Sequence, residues 1–185
     1  MKFCAGIITL LLFTAVTAHP IGKPQQPDPY RQLSEVTPLP MALDPAFEFR
    51  KTKLTFLGDV PGPRRGRGLT GGVVRDPSLG FEASYRFHGA VTALDFRQRL
   101  GHYFDFFWRA KRPANITVRL EYRQQNLRAE TQAREVSYQN VKGSYRTEFG
   151  IIGDDFHTDG RVTAWRCLLI ENGRIVAEDK SFLWK

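Results

Sequence analysis

The chain predicts an all-β fold, an antiparallel β-sandwich of seven or eight short strands. Three observations carry this. Apolar and polar residues alternate along 103–124, and a period of two belongs to a strand with one face in a core and one in water. Asn172-Gly173 separates two further apolar runs; Asn-Gly is the strongest two-residue hairpin signal, because both turn positions need positive φ. Aromatics make up 12% of the residues, with 14 Phe among them, and aromatic residues favour strands.

A length of 185 residues suits one domain with extensions, and 42% hydrophobic residues suffice for a core. The net charge is +8 and mostly from Arg, which favours anionic partners and also keeps a protein soluble. Lys2 precedes an uncharged apolar run over 3–16, and Val16-Thr17-Ala18 offers small residues for cleavage. We therefore expect a signal peptide at 1–18 and a mature N-terminus at His19. The run is shorter than the ~20 residues a spanning helix needs. Cleavage removes Cys4 and leaves Cys167, so packing rather than an internal disulfide must hold the mature domain. Cys167 alternates with Trp165 and Leu169 and is expected as a buried small hydrophobe; pairing with another chain is the alternative.

Residues 19–45 contain repeated prolines and no apolar period, and are expected as a stiff spacer or a disordered tether before a domain at 46–185. A first strand runs over 47–56 with a register change at 50–53. The stretch 58–80 is Gly- and Pro-rich, with Arg64, Arg65 and Arg67 among glycines, and reads as a long loop; it lacks the Lys-Ser/Thr ending of a phosphate-binding loop. Phe81, Ala83, Tyr85 and Phe87 alternate as a strand, and 93–100 suits a helical turn or crossover. Within 103–124, Arg112-Pro113-Ala114 predicts a hairpin turn, since Pro cannot donate to a ladder. Beyond it, 128–138 is a more polar strand or pair of short strands with Val136 and Tyr138 inward, and Val141-Lys142-Gly143 predicts another turn. Tyr145, Thr147, Phe149 and Ile151 alternate, 153–160 is a polar loop, and 161–170 with 175–184 form the closing hairpin.

Trp108 lies where a core tryptophan of the third strand would stand, and Asp159-Gly160 precedes Trp165-Arg166-Cys167. In these features 47–185 resembles the immunoglobulin-like sandwich superfamily. Trp stands where that family's motif has Tyr, the spacing from Asp159 to Cys167 is wider, and no Cys lies in 81–87. The likeness is thus to the disulfide-free, fibronectin-type members. The layout is also similar to secreted bacterial proteins of unassigned function. Such a resemblance implies adhesion, binding or structural roles and fixes no chemistry.

Motifs for catalysis are sparse. His19, His88, His102 and His157 form no zinc pattern, and no G-x-S-x-G occurs. Asp155, His157 and Asp159-Gly160 mimic half a calcium loop, but its twelfth position is Arg166, where a bidentate Glu is needed. Glu82, Asp105, Glu121, Glu148, Asp154 and Asp155 are eligible for a carboxylate pair. Asn115-Ile116-Thr117 is a glycosylation acceptor pattern. We expect no catalytic residue, metal or cofactor.

Parity places Tyr103, Asp105, Phe107, Arg109, Arg119, Glu121 and Arg123 opposite Trp108. Tyr103, Phe107, Arg109, Arg119 and Arg123 are the candidate ligand-binding residues, aromatics among guanidinium groups. The alternative is that 58–80 or the Pro-rich segment covers this face. The expectation is an exported, non-catalytic protein, secreted or periplasmic, with a binding or structural role at the cell envelope. Its partner is an anionic envelope polymer, a glycan or another envelope protein, not nucleic acid, and no transmembrane segment remains after cleavage. A carbohydrate-binding module and a secreted hydrolase are the alternatives.

Overall fold

The computed structural model describes residues 31–33, 35–58 and 77–185. The expected leader, the spacer as far as Tyr30, and the Arg-Gly stretch lie outside them. The elements in order are β1 (Arg31–Leu33), β2 (Phe47–Leu57), α1 (Pro77–Arg86), α2 (Ala93–Gln98), β3 (Gly101–Gln124), β4 (Gln132–Ile152), α3 (Asp154–Asp159), β5 (Val162–Glu171) and β6 (Arg174–Lys180). The fold is all-β, and every strand pairing is antiparallel. The six described strands form one hydrogen-bonded sheet, ordered β1-β4-β3-β5-β6, with β2 also on β3.

The alternation along 103–124 belongs to one 24-residue strand, not to a hairpin. β4 follows one edge of β3 from Gly101↔Ile152 to Tyr122↔Gln132. On the other edge β3 changes partner: β2 holds 101–110 and β5 holds 117–124. Pro113 falls between these two ladders, where its missing N–H breaks no sheet bond. Val141-Lys142-Gly143 is likewise internal to β4. There the ladder shifts register opposite Ala114, and Asn140 and Gly143 take positive φ. Bulges of this kind bend a strand and increase its twist.

The bend brings the two ends of the sheet face to face. Trp165 of β5 meets Phe104 and Phe106 of β3, with ring centroids 6.0 and 5.5 Å apart. Thr52 of β2 donates its hydroxyl to Asp179 of β6. Between them lies the main core: Phe104, Phe106, Trp108, Val118, Leu120 and Tyr122 of β3, with Val136, Tyr138, Phe149, Ile151, Cys167 and Leu169. Cys167 is fully buried there, as its place in an apolar run predicts.

Where 81–87 was expected as a strand, helix α1 runs to Arg86. Ala83 and Phe87, four residues apart, face one side and join Leu57, Leu100, Tyr103, Phe96, Ile152 and Phe156 in a second cluster. Phe81 and Tyr85 are 74% and 62% exposed. α2 fulfils the helical turn expected over 93–100; Thr92 and Asp95 form its capping box. The polar loop at 153–160 contains α3. Gly101 is forced by packing: a Cβ there would lie 2.2 Å from the Ile151 carbonyl oxygen.

The C-terminal part of the expected spacer is docked. β1 pairs with β4. Leu39 packs on Leu168, Ile170 and Ile175. Ile175 N–H donates to Pro40 O, while Ala42 and Asp44 N–H donate to Ile175 and Val176 O. This segment covers the outer edge of β6, which would otherwise offer unpaired backbone groups.

Candidate functional site

Strand pairing arranges the outer face of β2, β3 and β4 in rows. They read Thr55–Tyr103–Gly150, Lys53–Asp105–Glu148, Lys51–Phe107–Arg146 and Glu48–Arg109–Ser144. Helix α1 covers the first two. Arg86 enters from the helix end, bonding Glu82 at 3.0 Å, Asp105 at 3.2 Å, and Glu148. Its guanidinium lies 4.3 Å from the Tyr103 ring centroid. Burial opposes the Arg86 charge, but the bond and charge of Glu148, and the charge of Asp105, overcome it and raise its pKa. Tyr103 is buried and donates its hydroxyl to Arg99 O at 2.7 Å. Burial raises its pKa, so it remains a neutral donor. Asp105 is 2% exposed. Its second oxygen accepts from Arg146 Nε at 2.9 Å and Nη2 at 2.6 Å.

The next two rows are open. The register shift between Phe49 and Lys51 makes Arg50 the extra residue of a bulge. Arg50 and Lys51, adjacent in sequence, therefore line one cleft with Phe107, Trp108, Ser144, Tyr145 and Arg146. The cleft holds about 420 Å³. Phe107 is half-buried, and Arg146 lies 5.9 Å from its ring centroid. Arg146 is committed to Asp105 and Glu148. Arg50, Lys51 and Arg109 are exposed, and among the described residues none has a carboxylate partner. Glu48, opposite Arg109, pairs instead with Lys111 at 3.4 Å.

Of the five residues the sequence nominates, Phe107 and Arg109 share this surface. Tyr103 lies under α1. Arg119 and Arg123 stand on the half of β3 that faces β5. There Arg119 bonds Glu135 at 2.5 Å, approaches Glu121 at 3.7 Å, and donates to Thr37 O at 3.3 Å. Arg123 donates to Thr131 at 3.4 Å and lies 4.7 Å from the Trp184 ring centroid. A second cleft of about 390 Å³ lies beside it, lined by Glu121, Arg166, Glu178, Lys180 and Trp184 among others. Here Arg166 binds Glu121 at 2.7 Å and Glu178 at 3.6 Å, and Lys180 reaches Glu178 at 3.6 Å. Two carboxylates in this cleft pair with its cations, whereas no carboxylate lines the cleft at Phe107. Arg50 and Lys51 were not nominated; the register change at 50–53 was the available signal, since a bulge can gather adjacent residues on one side.

Five of the six eligible carboxylates are occupied, and the sixth, Asp154, is exposed. Asp105, Glu82 and Glu148 are clamped by Arg86, Glu121 by Arg166, and Asp155 by Arg134. Burial raises the Cys167 thiol pKa well above normal, and the Asp179 charge adds to this, so the thiolate is disfavoured. Among the described residues, no group of His, Cys, Asp and Glu has metal-binding geometry.

No family model, curated protein or solved structure matches the chain. Among the described residues, no helix is long and apolar enough to cross a membrane.

Proposed function

We propose that this is an exported, non-catalytic binding protein of the cell envelope, whose surface around Phe107 holds an anionic glycan polymer. On this reading the folded-over sheet is an immunoglobulin-like sandwich used as a rigid scaffold. One observation carries the proposal: Arg50 and Lys51 line the cleft with half-buried Phe107, Arg109 follows Phe107 on the same face of β3, and none of the three cations has a carboxylate partner among the described residues. Exposed cations grouped in this way raise the local potential and attract polyanions. Guanidinium groups grip carboxylate or sulfate with paired donors, and the Phe107 ring offers an apolar face to a sugar.

Titration with a uronate or sulfated polysaccharide, against a neutral polymer of equal size, tests this. Wild type should bind the charged polymer, and Arg50→Glu/Arg109→Glu should weaken binding at least tenfold with unchanged folding. Equal binding by the variant refutes the assignment. A second reading, a module for neutral carbohydrate, draws on Phe81 and Tyr85, exposed four residues apart on α1. Binding of the neutral polymer, lost in Phe81→Ala/Tyr85→Ala, would favour it.

A further inference from the structure

We propose that Asn115 is an N-glycosylation site, used when the chain passes through a eukaryotic secretory pathway. The proposal rests on the export reading and not on the partner reading. The chain has Asn at 115, 126, 140 and 172, and only Asn115 is followed by a hydroxyl residue at the second position, Thr117. Neither Ile116 nor Val118 is proline, so the backbone after Asn115 is free to adopt the bent form that a transferase needs.

The structure supplies a further reason. Asn115 is exposed, in the stretch of β3 that pairs with neither β2 nor β5. Its side-chain oxygen accepts from Asn140 N–H at 2.7 Å, at the positive-φ bend of β4. Its amide nitrogen has no protein partner among the described residues. The fold therefore uses the oxygen and leaves the nitrogen outward. A glycan on Nδ2 keeps the oxygen, and with it the bond to Asn140. In the transfer, Nδ2 attacks the anomeric carbon of a lipid-diphosphate-linked oligosaccharide. The N–C bond forms, the sugar–oxygen bond to the diphosphate breaks, the lipid diphosphate leaves, and the amide loses one proton to base. Asn115 lies eight positions along β3 from Phe107, at most about 25 Å at strand spacing.

The test is intact-mass analysis of the full chain, with its own N-terminal segment, made in a eukaryotic secretory host. Wild type and Thr117→Ser should carry a mass excess that peptide N-glycosidase removes, leaving Asp at position 115. Asn115→Gln and Thr117→Val should carry none. Thr117→Ser keeps the hydroxyl that meets Ser137 at 3.1 Å, so it remains informative if the other variants fold poorly. A secreted wild-type chain without the excess overturns the site while leaving export intact. A glycan that persists in Asn115→Gln also overturns it. Cytosolic chain with an intact leader overturns both the site and the export reading.

Discussion

Trp108 shows how much one position holds. It is fully buried, its indole N–H donates to Thr147 Oγ1 at 2.9 Å, and its ring stacks on Tyr145 with centroids 5.0 Å apart. Trp108→Ala should cost ~3–5 kcal/mol in denaturant unfolding, from lost transfer energy plus the cavity left behind. A loss under about 1 kcal/mol would contradict this placement. Its burial was legible because the even-numbered residues of β3 point inward on both sides of Pro113. The two halves of 103–124 keep one parity, so reading a turn into the middle left the faces correct. His102 was not legible in this way. It is packed between Phe56 and Phe104, and Nε2 accepts from Val162 N–H. Burial, then the Arg161 charge, lowers its pKa from 6.5 to about 4. The unfolded chain therefore binds a proton before the folded one does. This contribution to stability is full above pH 6.5 and is lost as pH falls towards 4, with a magnitude of at most about 3 kcal/mol. Unfolding curves between these limits should fall less steeply in His102→Gln than in wild type. Parallel curves would remove His102 from the account.

Helix α1 is the element whose attachment depends most on a single side chain. Arg86 is charged, buried, and shared among three carboxylates. Without Arg86, Asp105 and Glu148 keep Arg146 and Glu82 keeps Lys53, so the loss should stay below the roughly 3–5 kcal/mol of a buried pair broken outright. In Arg86→Met the apolar stem is kept and the charge is lost. Amide exchange over 81–87 should accelerate while β3 and β4 stay protected. Adding Asp105→Asn should recover part of the loss, because the buried carboxylate that has lost one of its two guanidinium partners goes too. Unchanged exchange at 81–87 would show that the Ala83 and Phe87 packing alone holds the helix. This element was misread for a physical reason. Phe81, Ala83, Tyr85 and Phe87 satisfy a period of two, while Ala83 and Phe87 also satisfy the four-residue spacing, and only that second pair packs. A short segment docked through one ion network carries little apolar periodicity. The β5–β6 hairpin is the opposite case. Asn172 and Gly173 take φ of 49° and 73°, as their dipeptide requires, and the signal is local enough to need no tertiary help.

At the scale of the whole molecule, a net charge of +8 invites the objection that any polyanion will bind. The structure separates general charge from a site. Arg119 is tied to Glu135 and Glu121, and Arg112 to Asp44 and Glu171. These cations contribute little outward field. Arg50, Lys51 and Arg109 have no such ties among the described residues. This grouping was hidden from the sequence, because it depends on a bulge in β2, on pairing between strands far apart in the chain, and on which carboxylates other strands supply. It yields a test in which net charge is held equal. Arg50→Glu/Arg109→Glu and Arg128→Glu/Arg174→Glu each lower the charge by the same amount, the second pair at exposed positions, Arg128 in a turn and Arg174 at the start of β6. Affinity for a uronate or sulfated polymer should fall at least tenfold in the first and less than about threefold in the second, since charges beyond a Debye length of about 10 Å are largely screened at 0.1 M salt. The wild-type affinity should also decline with added salt, and the decline should flatten in the first variant alone. Equal losses in both variants would reduce the interaction to net charge and remove the Phe107 surface as a site.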